Sequence, residues 1–386
     1  MNNKAYNTIR STVIANLGID HTVIGDLLKL FFSKDTGADS LTNFFAKYDI
    51  ESLEYLCVWM LSRLASKLRY AGVPQEQIPR LKGVVKKFTV ENARSFCALP
   101  GVLEAFNYAG IAVMLLGGTA MKAFYEPTET RYYDNLEILV RGVDIKKACS
   151  LLEEQGFKYQ RTFWDQRIYR KHDKIIAVHS TYLSANVLTG DRTDIWRYSR
   201  EITWQGKKVL VPCPEMMLLI LLVQGLEASC SRIHESQAVL FIKCYLDIHF
   251  FLKAYPLQWD SFVTLVEKSK FGLHVRLMLD ILNQLYPETI AQEQLDTFGF
   301  TGTDLRNVER LISFNIAKKK TTETRNRNNV LEYYYYGLVA LWNLNCYYGN
   351  RASLFFNLVD FPHCIATWNN HKGLKGLLPK FGGYKK

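Results

Sequence analysis

Two short apolar runs, Ile111–Leu116 and Leu136–Val140, stand in a chain that otherwise reads as helical, and the first runs straight into Gly117-Gly118. Five or six apolar residues bounded by turn residues are too short for a helix and read as strands buried on both faces. A helix is expected between them over Thr119–Tyr125, stopped by Pro127. Buried strands need partners. Two expected hairpins supply them: Trp164–Arg170 with Lys174–Leu183 about His172-Asp173, and Ile202–Trp204 with Lys208–Val211 about Gln205-Gly206. A sheet embedded between helical stretches constrains the chain to the α+β class.

The flanks repeat apolar residues at helical spacing. Leu53, Leu56, Cys57, Met60, Leu61, Leu64 and Leu68 recur every three or four positions, with Asp49 as the expected cap and Gly72 as the stop. A helix is expected over Gly101–Tyr108. Another starts at Asp144, shows Ile145, Ala148, Cys149 and Leu152 on one face, and ends at Gly156. Pro214-Glu215 opens a second helical region that includes Ala238–Phe251 and Leu273–Tyr286. Lys318–Asn329 is polar and basic and reads as a linker; Tyr333–Tyr336 begins a last helical piece before a lysine-rich tail. The expected organisation is 1–95 N-terminal helices, 96–213 α/β core, 214–330 helical domain, and 331–386 aromatic segment and basic tail.

Lysine and arginine (48) outnumber aspartate and glutamate (37) for a net +11, and +8 of it falls within 317–386. A basic end on a near-neutral body suits an anionic substrate or partner, or is simply a solvated face. No nucleic-acid module accompanies it, so a nucleic-acid partner is the weaker alternative. The longest apolar run, Met216–Val223, is far short of the ~20 residues that a membrane span needs. Met1–Arg10 is polar, and a cytoplasmic location is expected, with no membrane partner. The eight cysteines form no CxxC and are expected to be reduced core residues.

Chemistry concentrates around the glycine pair. Glycines after a strand let backbone N–H groups approach phosphate oxygens. On the following strand, acids two residues apart share a face and can hold a divalent cation against a triphosphate. Close packing explains a glycine pair equally well.

The order of motifs resembles the bacterial "uncharacterised nucleotidyltransferase" family of the DNA polymerase β superfamily. Leu115-Leu116-Gly117-Gly118-Thr119-Ala120 is similar to its glycine turn, Arg131 to its arginine, and Ile138-Leu139-Val140 to the end of its carboxylate strand. Gly156-Phe157, Val178-His179 and Tyr245-Leu246-Asp247-Ile248 with Gln258-Trp259-Asp260 follow in family order, over roughly 90 to 350. The resemblance implies a nucleotidyltransferase-type small mixed sheet core and a transferase that uses an NTP with Mg²⁺. The acceptor would be a small molecule, a peptide or a protein.

It also implies roles. Gly117, Gly118, Thr119, Lys122 and Arg131 fall in the nucleotide-binding places, and Glu137 in that of the second metal carboxylate. Asn135 stands where the first metal aspartate belongs, and Ala177 where the third does. Asp134, a metal candidate beside Glu137, reaches the site face only through a bulge. Asp173 is another substitute, and His179 either faces the site or is structural. Lys122 and Arg131 contact triphosphate, or are a surface lysine and a partner of Glu129. Two readings stay open: an Mg²⁺-dependent nucleotidyl transfer, and a degenerate member retained as a binding or scaffold protein.

Overall fold

The computed structural model describes residues 3–17, 23–32, 37–53, 55–124, 133, 135–163, 166–182, 194–230, 235–285, 290–302, 304–306 and 308–309. The Lys318–Asn329 segment, the Tyr333–Tyr336 run, the basic tail, Arg131 and Asp134 lie outside these residues. The chain is α+β.

Six helices lead into the sheet: α1 (Asn3–Leu17), α2 (Val23–Phe32), α3 (Ala38–Lys47), α4 (Tyr55–Lys67), α5 (Ile78–Phe96) and α6 (Leu99–Tyr108). The apolar face read in α4 is buried, with Cys57, Met60, Leu61 and Leu64 at 3% exposure or less. Its expected cap is corrected. The Asp49 carboxylate accepts the Glu51 N–H at 2.9 Å and caps the 3-10 turn Ile50–Ser52, an Asx-type turn that delays the helix to Tyr55. Gly72 does adopt a left-handed φ of +74°, but the chain has already left the helix, through Arg69 and Tyr70 at positive φ. Helix α1 turns back on the chain: Tyr6 donates a hydrogen bond to Asp280, and Arg10 donates one to Gln284 at 3.3 Å.

Among the described residues seven strands form one sheet: β1 (Val113–Leu115), β2 (Leu136–Val140), β3 (Lys158–Phe163), β4 (Gln166–Lys171), β5 (Lys174–His179), β6 (Ser199–Trp204) and β7 (Lys207–Pro212). Their order is β3-β4-β5-β2-β1-β7-β6. The pairs β2–β5 and β1–β7 are parallel and the others antiparallel, so the sheet is mixed. Both expected hairpin turns form, with His172, Gln205 and Gly206 at positive φ. The expected strand over Ile111–Leu116 is trimmed to Val113–Leu115, and the helix after it, α7, spans Gly117–Met121. Strand β3 was not expected. It is an edge strand whose residues 158–162 are exposed, and an edge has no second neighbour to impose apolar alternation.

Helix α8 (Ile145–Glu154) lies on one face of β3–β5: Tyr169 donates to Glu153 at 3.4 Å, and Lys171 to the Gln155 carbonyl at 2.6 Å. Asp144 sits at its N-terminus without capping it. Its own backbone is helical, φ −95° and ψ −7°, rather than the extended form that a capping side chain needs.

Among the described residues the C-terminal helices are α9 (Pro214–Cys230), α10 (Glu235–Ala254), α11 (Trp259–Ser269), α12 (Gly272–Leu285) and α13 (Gln292–Asp296). Helix α9 is the hub. Met216–Val223 is apolar on every side and at most 2% exposed, as expected for a helix enclosed all round. It packs on α10, α11 and α12 and also meets α1, α7 and β7, which joins the helical part to the sheet. Among the described residues, no helix is long and apolar enough to cross a membrane. Cys57, Cys97, Cys149, Cys213 and Cys244 are free; Cys57, Cys149 and Cys244 are buried, while Cys97 is exposed against expectation.

Candidate active site

Just past the end of β1, the Leu116 N–H donates to the Glu137 carbonyl at 3.0 Å and carries the antiparallel pairing with β2 one residue further. There the chain must reverse into α7. Gly117 does so at φ +46°, a left-handed value that a side chain would strain. The Glu137 carboxylate occupies the place where a β-carbon on residue 117 would stand. Glycine is therefore required twice over, by the turn and by the carboxylate. The first helical hydrogen bond of α7 is Ala120 N–H to Leu116 O at 3.0 Å, so the N–H groups of Gly117 and Gly118 have no acceptor within the helix.

Thr119 fixes the other side of Glu137. It is fully buried, and its hydroxyl accepts the Glu137 N–H at 2.7 Å. Thr119 was expected among the nucleotide-binding residues; in the structure its hydroxyl holds the backbone that carries Glu137. Sequence reading missed that role, because a buried threonine looks the same as a ligand-facing one. Further upstream, the Asn92 side-chain oxygen accepts the Tyr133 N–H at 3.3 Å, and Phe96 packs edge-on against the Tyr133 ring with centroids 4.8 Å apart. Helix α5 thereby anchors the entry to β2.

Parallel pairing sets Glu137 directly opposite Ala177 on β5. In-register partners project to the same face, so Ala177, fully buried, occupies the place beside Glu137 where a second carboxylate would face it. Asn135 precedes the strand and is half-buried; Lys122 is half-buried at the end of α7. His179 is half-buried two residues beyond Ala177, with its Nε2 3.0 Å from Gln166 Nε2. Asp173 is not brought to the site. It lies in the exposed β4–β5 turn, four residues before Ala177, which is roughly 13 Å along the strand. The structure thus unites Gly117, Gly118, Thr119, Glu137 and Ala177, with Asn135 leading into Glu137 along the chain.

A Mg²⁺ site uses oxygen donors, commonly one or two carboxylates together with phosphate oxygens. Among the described residues Glu137 brings one carboxylate, Asn135 a neutral amide and Ala177 nothing. No group of three His, Cys, Asp or Glu side chains comes together there. The described donors alone do not make up the metal centre that the resemblance implies; Asp134, the other metal candidate, lies outside the described residues.

Residues 59–287 match the family described as "Uncharacterised nucleotidyltransferase", and the chain belongs to that family. A solved structure, that of the antibiotic-resistance factor ANT(2″)-Ia, is similar at 12% identity and a TM-score of 0.32. The match covers 50% of this chain and 93% of that one. No curated protein matches the chain.

Proposed function

We propose that the protein transfers a nucleotidyl group from a nucleoside triphosphate to an acceptor hydroxyl at the turn where Glu137 meets Gly117. One observation carries the reading: within a chain of this family, a half-buried carboxylate lies against a glycine turn whose two N–H groups have no helical acceptor. In the proposed step the acceptor oxygen attacks the α-phosphorus and forms the new P–O bond. The bond from that phosphorus to the bridging oxygen breaks, and pyrophosphate leaves. Glu137 takes the proton of the attacking hydroxyl. The Gly117 and Gly118 N–H groups donate to phosphate oxygens, at about 1.5–3 kcal/mol for each hydrogen bond to a charged group.

Ala177 favours a second reading, a nucleotide-fold protein that binds without transferring. An apolar side chain opposite Glu137 removes the charge that a metal–triphosphate complex needs. Calorimetry with each of the four NTPs, with and without Mg²⁺ or Mn²⁺, together with a pyrophosphate-release assay, separates the two. Transfer predicts NTP binding and pyrophosphate release in wild type, both lost in Glu137→Gln. Should wild type bind no NTP under any metal, while Asn135→Asp with Ala177→Asp binds well, the transfer reading fails and the second stands.

A further inference from the structure

Helix α5 buries Leu81, Phe88, Asn92 and Phe96, an apolar stripe at helical spacing with one amide in it. A buried amide is costly unless it is hydrogen-bonded, and a leucine there would pack without that cost. Among the described residues of the six leading helices, Ser62 and Asn92 are the buried polar side chains. The Ser62 hydroxyl donates to the Val58 carbonyl of its own helix at 2.6 Å. Asn92 instead reaches 41 positions along the chain, where its side-chain oxygen accepts the Tyr133 N–H at 3.3 Å.

That N–H lies just ahead of β2. The pairing of β2 with β5 begins at Leu136, opposite Ile176, so Glu137 is only the second residue of the ladder. A strand end with few hydrogen-bonded neighbours opens more readily than its middle. Here side chains from two helices grip the backbone on either side of Asn135: Asn92 of α5 at Tyr133, and Thr119 of α7 at Glu137. Phe96, one turn after Asn92, packs on the Tyr133 ring and also on Trp204, which ties the same anchor to the edge strand β6.

We propose that Asn92 is a positioning residue for the transfer. Through Tyr133 it holds the end of β2, so that the Glu137 carboxylate stays against Gly117 and meets the attacking hydroxyl at the right distance. The role rests on the transfer reading above. It gives the N-terminal helices a part in the chemistry, although Asn92 itself touches no reacting atom. The Gly117 and Gly118 N–H groups follow β1 rather than β2, so loss of the Asn92 grip should disturb the proton transfer more than the hold on phosphate.

The test uses the full chain and four variants. Asn92→Leu removes the acceptor and keeps the bulk, and Asn92→Asp keeps an oxygen in its place. Phe88→Leu thins the same stripe one turn away without touching the hydrogen bond. Phe96→Leu loosens the same anchor from its other contact and serves if Asn92→Leu does not fold. Pyrophosphate release is followed with each NTP, with water and glycerol offering acceptor hydroxyls. Misplacing Glu137 in Asn92→Leu should lower kcat by roughly a hundredfold and leave the KM for the NTP nearly unchanged, with most of the rate recovered in Asn92→Asp. Hydrogen exchange over the peptide 133–140 should speed up roughly tenfold in Asn92→Leu and stay as in wild type in Phe88→Leu. A Phe88→Leu protein that loses as much kcat as Asn92→Leu at equal loss of thermal stability overturns the role, because packing alone would then explain it. Release by wild type and Asn92→Leu at the same rate overturns the role and leaves the transfer reading intact. A wild type that binds no NTP removes the transfer reading and this role with it. If wild type binds NTP without releasing pyrophosphate, the exchange decides: equal rates over 133–140 in wild type and Asn92→Leu overturn the role, and faster exchange in Asn92→Leu alone supports it.

Discussion

Helix α9 and the β1–α7–β2 turn lie in contact yet follow opposite logic. In α9 the residues Met216–Val223 are apolar without a break and enclosed on all sides, so every side chain there serves packing. In the turn, a left-handed glycine, a buried threonine hydroxyl and a half-buried carboxylate are fitted to one another by backbone geometry and hydrogen bonding rather than by apolar packing. The difference teaches where to look for function: one region is explained by stability alone, and the other is not.

The comparison can be broken first where the effect should be largest. Leu219→Ala, at a fully buried position of α9, should lower unfolding free energy by about 2–5 kcal/mol in a urea titration and leave nucleotide affinity unchanged. A change in affinity with no loss of stability would show that α9 is more than a hub.

Acid should strain the same helical region. Burial pushes the His274 imidazole, on α12, down to about 4, so the folded protein keeps it neutral where the unfolded chain protonates it. The unfolded state then binds more protons between pH 6.5 and pH 4, so stability falls as pH drops through that window, by up to roughly 3 kcal/mol. Chemical denaturation at a series of pH values should show this slope, and His274→Gln should flatten it. An equal slope in both proteins would place the acid sensitivity elsewhere.

Changes at the turn should be smaller in stability and larger in function. Gly117→Ala forces a left-handed residue and a clash with Glu137, at a cost of about 1–3 kcal/mol, and should abolish NTP binding as well. Thr119→Val keeps the shape but leaves the Glu137 N–H without its acceptor, which costs about 1–3 kcal/mol at a buried site. Its nucleotide affinity should fall because Glu137 is no longer held. A Thr119→Val protein that is destabilised but binds NTP normally would mean that the hydroxyl serves the fold alone.

The turn was legible in the sequence because several independent signals converge on it: an apolar run, a glycine pair and a second apolar run with one acid inside it. The hairpins were legible for a similar reason, since His172-Asp173 and Gln205-Gly206 are turn formers between strand-like stretches. Strand β3 was not, because an exposed edge strand carries no burial pattern. The bond from Thr119 to Glu137 was also hidden, since it joins residues that only the antiparallel pairing brings together. The same holds for Lys158, Arg161 and Arg170, which look like scattered surface charges until the β-bulge between Tyr159 and Arg161 and the strand register put them on one face.

Strand β1 pairs on one side with β2, which soon follows it, and on the other with β7, through Met114 opposite Leu210. During synthesis its second edge must wait for β7 to emerge. At roughly 5–20 residues per second, that wait is on the order of 5–20 s. Throughout it, an apolar strand edge with unpaired N–H and C=O groups faces the cell, the kind of edge that recruits other chains. The parallel closure that completes the sheet around Glu137 therefore leaves the nascent chain open to edge pairing with other chains in a way that the finished sheet is not.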